Sequence, residues 1–170
     1  MDVYETMKVR LSTRKYQTKP IEEEKVSRVL EAGRLSPSAA NRQPWHFLVI
    51  TDPQVRARMK EAYDRRWFVE APVILVVCAD PGVAWVRSDG EPYWKVDAAI
   101  AMQNMVLQAT AEGLGTCWIG AFDEAAAKRI LNIPRDIRVV AMTPLGYPDK
   151  IKEKVTNRKD IHDILHTNKW

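Results

Sequence analysis

The sequence predicts a mixed α+β fold, about four strands and five helices packed in layers. Three observations carry this. Residues 71–79, APVILVVCA, are apolar without a break, as a strand covered on both faces must be. The segment VDAAIAMQNMVLQATAEG is apolar around most of a helical circumference, which suits a core or a subunit contact. The strand-like runs do not alternate with helices in a regular βαβ series. At 170 residues and 46% hydrophobic, the chain suits one domain spanning residues 1–170.

Asp2 caps a short helix reaching Val9, with Val3 and Met7 on its apolar side. RLSTRKYQTKP is polar, and Ser12 and Thr13 compete with helical backbone bonds, so a turn or irregular stretch is expected. Pro20 and EEEK open a second helix, with Val26, Val29, Leu30 and Gly33 as its inner stripe. PSAANRQP, residues 37–44, is a connection leading into the buried strand WHFLVI. Asp52 and Pro53 start a helix running to about Arg66, and the 71–79 strand follows.

Residues 80–92 carry the turn signals DPG and SDGEP around Trp85. They form either a cover over a pocket or a surface connection anchored by that tryptophan. The longest helix runs from Tyr93 to about Glu112, where Asp97 complements the dipole near its start. Gly113 and Gly115 end it, and TCWIGAF returns as a short strand with a glycine break. Asp123 caps DEAAAKRILNI, Pro134 closes it, and IRVVAMTPLGYP is the last strand before a basic tail.

Net charge is +4, and the basic residues Arg58, Lys60 and Arg65 are interrupted by Glu61 and Asp64. That is a solvated helix face rather than a nucleic-acid surface. The N-terminal ten residues lack a signal-peptide pattern and no 18-residue apolar span exists, so no membrane role is expected. Cys78 and Cys117 sit singly in apolar runs and read as reduced core thiols, which suggests a cytoplasmic protein.

Arg10, Ser12 and Arg14 fall in one short segment, where guanidinium groups and a hydroxyl could hold a phosphate, or could simply be surface residues. Asn41 and Gln43 stand just before a buried strand; their amides suit a heterocycle edge or satisfy loop backbone. His162 and His166 have helical i,i+4 spacing without a HExxH pattern, which reads as a solvated C-terminal helix rather than a metal site. Met102 and Met105 read as packing residues, and Glu22, Glu23 and Glu24 as helix-start charges.

RLSTRKY, LSPSAANRQPWHFLVI, AAIAMQNMVLQATAEGLGTCWIGAF and VVAMTPLGYP, taken in that order, resemble the recurring segments of nitroreductase-family flavoproteins. The resemblance covers the chain from about Val3 to Ile161. It implies a mainly antiparallel sheet flanked by helices and an intertwined homodimer with FMN at shared sites. Arg10 would then bind the FMN phosphate, Ser12 would accompany it, and Arg14 would reach the pyrimidine part of the ring. Pro37, Ser38, Ala39 and Asn41 would come from the other subunit, with Gln43 approaching the flavin or stabilising that loop. Trp118, Ile119, Gly120 and Ala121 would lie along the isoalloxazine, Ala121 offering a backbone N–H near flavin N5 with Gly120 beside it. Gly120 stands where many larger relatives carry glutamate. Gly146 and Arg158 would complete the phosphate site; Thr156 stands where a basic residue is common, with Lys154, Lys159 or Asn157 as substitutes.

The activity implied is hydride transfer from NAD(P)H to flavin N5, then to a small electrophilic acceptor such as a nitroaromatic or quinone, in a ping-pong scheme. Placement of reactants supplies much of such catalysis. No GxGxxG fingerprint is present, and the implied nicotinamide site requires none. Reductive dehalogenation, flavin breakdown, or a non-catalytic flavin-binding module are the alternatives.

Overall fold

The computed structural model describes residues 2–150 and 157–170. Its centre is a four-stranded sheet in the order β1-β2-β4-β3, formed by Trp45–Ile50 (β1), Val73–Ala79 (β2), Gly115–Thr116 (β3) and Arg138–Gly146 (β4). Every neighbouring pair is antiparallel. β2 lies inside the sheet and is buried at all of its residues, which explains its unbroken apolar sequence. Val73, Leu75, Val77 and Ala79 enter one core, and Ile74, Val76 and Cys78 the other.

On the first face lie α2 (Glu23–Arg34) and the 18-residue α5 (Trp94–Ala111), with α1 (Val3–Val9) against α5. Gly33 lets α2 close on α5, since a Cβ there would stand 2.8 Å from the Met105 sulfur and 2.9 Å from Phe47 Cζ. On the second face lie α3 (Pro53–Arg58), α4 (Arg66–Glu70) and α6 (Glu124–Leu131), whose core includes Met59, Phe68, Ala127 and Met142. Each large apolar side chain buried in this way stabilises the fold by about 1.5–3 kcal/mol. No helix among the described residues is long and apolar enough to cross a membrane.

Several expected elements are altered by packing. The helix expected to run on to Arg66 stops at Arg58, turns through a 3-10 segment Met59–Glu61, and restarts as α4. Tyr63 stacks edge-on with Phe68 and Trp67, and burial of Met59 and Phe68 overrides helical continuity. The second helix begins at Glu23 rather than Pro20, because Glu22 is extended (φ −62°, ψ 132°) and serves as the N-cap; its carboxylate accepts from Tyr147 Oη (2.5 Å) and does not cap the helix. β2 starts after Pro72, which has no N–H for the ladder.

The strand expected from TCWIGAF shrinks to Gly115–Thr116, because the Cys117 N–H donates to Thr143 Oγ1 (3.0 Å) rather than to a strand carbonyl. The tail also departs from expectation. Among its described residues only Ile161–Asp163 form a 3-10 turn, so His162 and His166 do not share a helix face; His166 stacks on Trp170 at 4.5 Å.

Candidate functional site

The Arg10–Ser12–Arg14 segment is an extended strap added to the edge of the sheet. Arg10 ends α1, its N–H donating to the Thr6 carbonyl, and turns the chain to an extended conformation. Ser12 pairs with Thr116 in parallel, and the Thr13 N–H donates to the Thr116 carbonyl (2.8 Å). Further along, the Gln17 N–H donates to the Tyr147 carbonyl and Asp149 returns its own N–H to Lys15. The strap is thereby sewn to both β3 and the end of β4.

In an extended segment side chains alternate. Thr13 points at Gly115, and its neighbours Ser12 and Arg14 alternate with it. The side chains of Arg10, Ser12 and Arg14 make no hydrogen bond or ion pair among the described residues, and Arg14 only approaches the Trp67 ring, 6.0 Å from its centroid.

Beside the strap is a cavity of about 410 Å³ whose wall includes Ser12, Arg14, Lys15, Lys150, Thr110 and Gly113. Lys15 is paired with Asp149 at 2.7 Å. That bond holds the lysine above its ordinary pKa and the carboxylate below its own. Burial is the main reason the Tyr16 phenol titrates well above its usual range; its hydroxyl donates to the Thr13 carbonyl (2.7 Å). Lys150 opens the basic tail, and its place beside this cavity has no local signature in the sequence.

The 118–121 stretch follows two residues after Thr116. Ile119 is anchored to Met142 by reciprocal backbone bonds of 2.8 and 3.0 Å. Trp118 on one side of it, and Gly120 and Ala121 on the other, are exposed. The N–H groups of Gly120 and Ala121 meet no acceptor among the described residues. A Cβ on Gly120 would find only Trp118 Nε1, at 4.0 Å. Nothing within the described chain requires glycine here, and a flat group has open access to this backbone.

Gly146 has a different role. A Cβ there would fall 2.8 Å from Pro72 Cδ and 3.0 Å from Tyr16 Cδ1, so its bareness lets the strap close on β4. Arg158, Asn157 and Lys159 are exposed in the tail; Lys154 and Thr156 lie outside the described residues.

The 37–43 loop is shaped by unusual backbone angles. Ala40, Asn41 and Gln43 have φ of 49°, 54° and 50°, the left-handed region, which costs about 1–2 kcal/mol per non-glycine residue. The Gln43 N–H donates to Ser38 Oγ (2.9 Å), and the Gln43 side chain donates to the Asn41 carbonyl (3.2 Å), so Gln43 braces its own loop. Ala39 donates its N–H to Asp97 Oδ1 (2.9 Å) in the first turn of α5. Pro37 and Asn41 are exposed.

The loop and the strap do not meet within one protomer. The loop is tied to α5 at Asp97, whereas the strap's cavity is bounded by Thr110 and Gly113 at the other end. At 1.5 Å rise per residue these ends are about 20 Å apart along the helix.

The 80–92 segment is an ordered loop. Val86 bridges Pro92, Trp85 packs edge-on against Tyr93 at 4.9 Å, and Arg87 forks onto Asp89. The tryptophan is its anchor.

Residues 7–68 and 60–147 match the sequence pattern of the Nitroreductase family. This chain belongs to the nitroreductase family. A protein of Archaeoglobus fulgidus, whose provisional name pairs NADH dehydrogenase with NAD(P)H nitroreductase, is 34% identical over 95% of this chain and 94% of its own length. One of Methanothermobacter thermautotrophicus with the same name is 32% identical over 100% of this chain and 88% of its own. The crystal structure of a nitroreductase family protein from Clostridium difficile superposes with a TM-score of 0.93, at 28% identity and with 100% of each chain covered. The mixed α+β fold, antiparallel sheet and flanking helices are therefore those of this family, whose members are flavoprotein oxidoreductases.

Proposed function

We propose that this nitroreductase-family chain is an FMN-dependent oxidoreductase that takes hydride from NAD(P)H and delivers it to a small electrophilic acceptor, nitroaromatic or quinone. The observation that carries the reading is the Ser12–Thr116 pairing. It ties the segment that carries Ser12 and two arginines, free of hydrogen bonds and ion pairs among the described residues, to Thr116, four residues before Gly120 in the chain; such a donor set suits a molecule with an anionic phosphate at one end and a flat ring at the other.

In this reading Arg10 and Ser12 hold the phosphate, aided by Arg158 from the tail, Arg14 faces the ring, and Gly146 contributes only by letting the strap close on β4. FMN, when bound, supplies the isoalloxazine that accepts a hydride and passes electrons on. Ile119, fixed to Met142, holds the Gly120 and Ala121 N–H groups steady at the position assigned to the ring. A fixed donor needs no reorganisation when negative charge develops. Burial pushes the Cys78 thiol up to about 12, and Cys78 lies in the second core, so it takes no part.

The second half of the site comes from a second copy. Val96, Ile100, Gln103 and Leu107 follow 4-3-4 spacing on α5; Val96 is 44% exposed, Gln103 is exposed, and the other two are half-buried. Two copies packed antiparallel on this stripe would carry the 37–43 loop of one to the strap of the other, closing the 20 Å gap about a two-fold axis. Val3, Tyr4 and Met7 of α1, and Ile161, Ile164 and Leu165 of the tail, are further exposed apolar residues available to the contact. Such an enzyme works in the cytoplasm.

The test is anaerobic absorbance of the purified protein during addition of NADH or NADPH, with the released cofactor identified by mass. A flavin spectrum that one donor bleaches and an acceptor restores supports the reading. Failure to take up FMN refutes it, and tight FMN binding without turnover indicates a flavin-binding module.

A further inference from the structure

Asp97 is buried more deeply than a dipole-complementing residue needs to be. It is 1% exposed, Oδ1 accepts the Ala39 N–H at 2.9 Å, and Oδ2 is buried without a partner among the described residues. Burying a carboxyl group with one oxygen unsatisfied opposes folding, and an apolar side chain of the same branching would avoid that cost. The helix dipole alone would be served as well from an exposed position. The benefit must lie in what Oδ1 holds.

What it holds is the 37–43 loop. Its other hydrogen bonds, Ser38 to Asn41, Ala39 to Arg42, Ser38 to Gln43 and Asn41 to Gln43, are internal. Among the described residues, the Asp97–Ala39 bond is the one hydrogen bond tying residues 37–43 to the rest of the fold. The loop meanwhile keeps Ala40, Asn41 and Gln43 in the left-handed region, a conformation non-glycine residues leave when not held.

We infer that Asp97 is a positioning residue: through the Ala39 N–H it locks the 37–43 loop in the left-handed shape in which one protomer presents it to the FMN held by the other. This rests on the FMN reading above. Asp97 touches neither cofactor nor substrate; it acts through the loop.

The test compares Asp97→Ala, Asp97→Asn and Asp97→Leu in the full chain by amide exchange without added ligand, FMN titration and thermal melting. Asp97→Ala is expected to speed exchange over residues 38–43 by about tenfold or more, leave β2 unchanged, and weaken FMN by a similar factor. Asp97→Asn keeps an acceptor oxygen and should restore both quantities to within about threefold of the native protein. Asp97→Leu has the same branching, and should free the loop while melting near the native temperature, even if Asp97→Ala does not fold. Ala40→Gly, which lowers the cost of positive φ, should recover part of the lost FMN affinity when added to Asp97→Ala.

Unchanged exchange over 38–43 in both Asp97→Ala and Asp97→Leu overturns the inference. So does faster exchange spread evenly over the chain, or an Asp97→Asn protein no better than Asp97→Ala. Native protein that binds no FMN, while the loop still loosens in the variants, sinks the proposed function and leaves the clamp standing. FMN binding by native protein and variants alike does the reverse.

Discussion

Thr13 occupies the space that a side chain on Gly115 would need. A Cβ on Gly115 would stand 2.5 Å from Thr13 Oγ1 and 2.8 Å from both Thr13 Cβ and Cγ2. The strap can lie flat on β3 only because residue 115 is glycine, and the register of Ser12 and Arg14 beside β3 depends on that contact. Gly115→Ala is therefore expected to cost about 1–3 kcal/mol in urea unfolding and to weaken FMN retention as the strap shifts. Thr13→Ala in that background removes Oγ1 and Cγ2 but leaves the Cβ clash, so it should recover part of the loss. Unaltered stability in Gly115→Ala would mean that the strap is free to move.

Arg10→Ala separates the cofactor from the fold. The Arg10 side chain makes no hydrogen bond or ion pair among the described residues, so its loss should hardly change the melting temperature. A charge-assisted bond to phosphate is worth about 1.5–3 kcal/mol, so FMN affinity should fall roughly 10- to 100-fold. His166→Ala, at a side chain whose contact is Trp170, should change neither. Equal FMN affinity in a folded Arg10→Ala protein removes Arg10 from the phosphate site.

Much of this was legible in the sequence, and the parts that were not share a cause. The β2 run and the α5 pattern reflect burial on the chain's own periodicity, so APVILVVCA and the long apolar helix announced the sheet and its cover. The interruption after Arg58 depends on Phe68 and Tyr63 meeting across a turn, and the shortness of β3 on one hydroxyl, Thr143. Those are contacts between residues remote or unrelated in pattern. The site divides similarly: Arg10, Ser12 and Arg14 could be singled out by type and spacing, whereas the grip of Asp97 on Ala39 spans 58 residues and has no local signature.

Glu124 should make stability depend on acid in a defined direction. Arg138 donates to it twice at 2.8 Å and the Val139 N–H once at 2.9 Å; chiefly the arginine bonds hold its pKa below the ordinary carboxylate value. A depressed folded pKa adds stability that is fully present above the unfolded value of about 4.3 and lost as pH falls through the folded one. The native protein should therefore exceed Glu124→Gln in stability at pH 7, with the gap closing below about pH 4. A gap independent of pH from 3 to 7 would assign the effect to the shape of the side chain instead of its charge.

Ile100→Glu tests the two-fold association that the proposed shared site requires. Ile100 is half-buried in one protomer, at the centre of the stripe from Val96 to Leu107, and outside both core clusters. A carboxylate there is solvated in a lone chain, but a two-fold contact would bury two of them close together, which costs several kcal/mol for unpaired charge. Sedimentation should show a monomer, circular dichroism an intact fold, and FMN titration a large loss, because the strap then lacks the partner's 37–43 loop. Arg10→Ala would lose FMN yet stay dimeric, so the two variants separate the strap's contribution from the loop's. A dimeric Ile100→Glu protein that keeps its flavin would move the interface off α5 and leave the 20 Å gap between loop and strap to be bridged in another way.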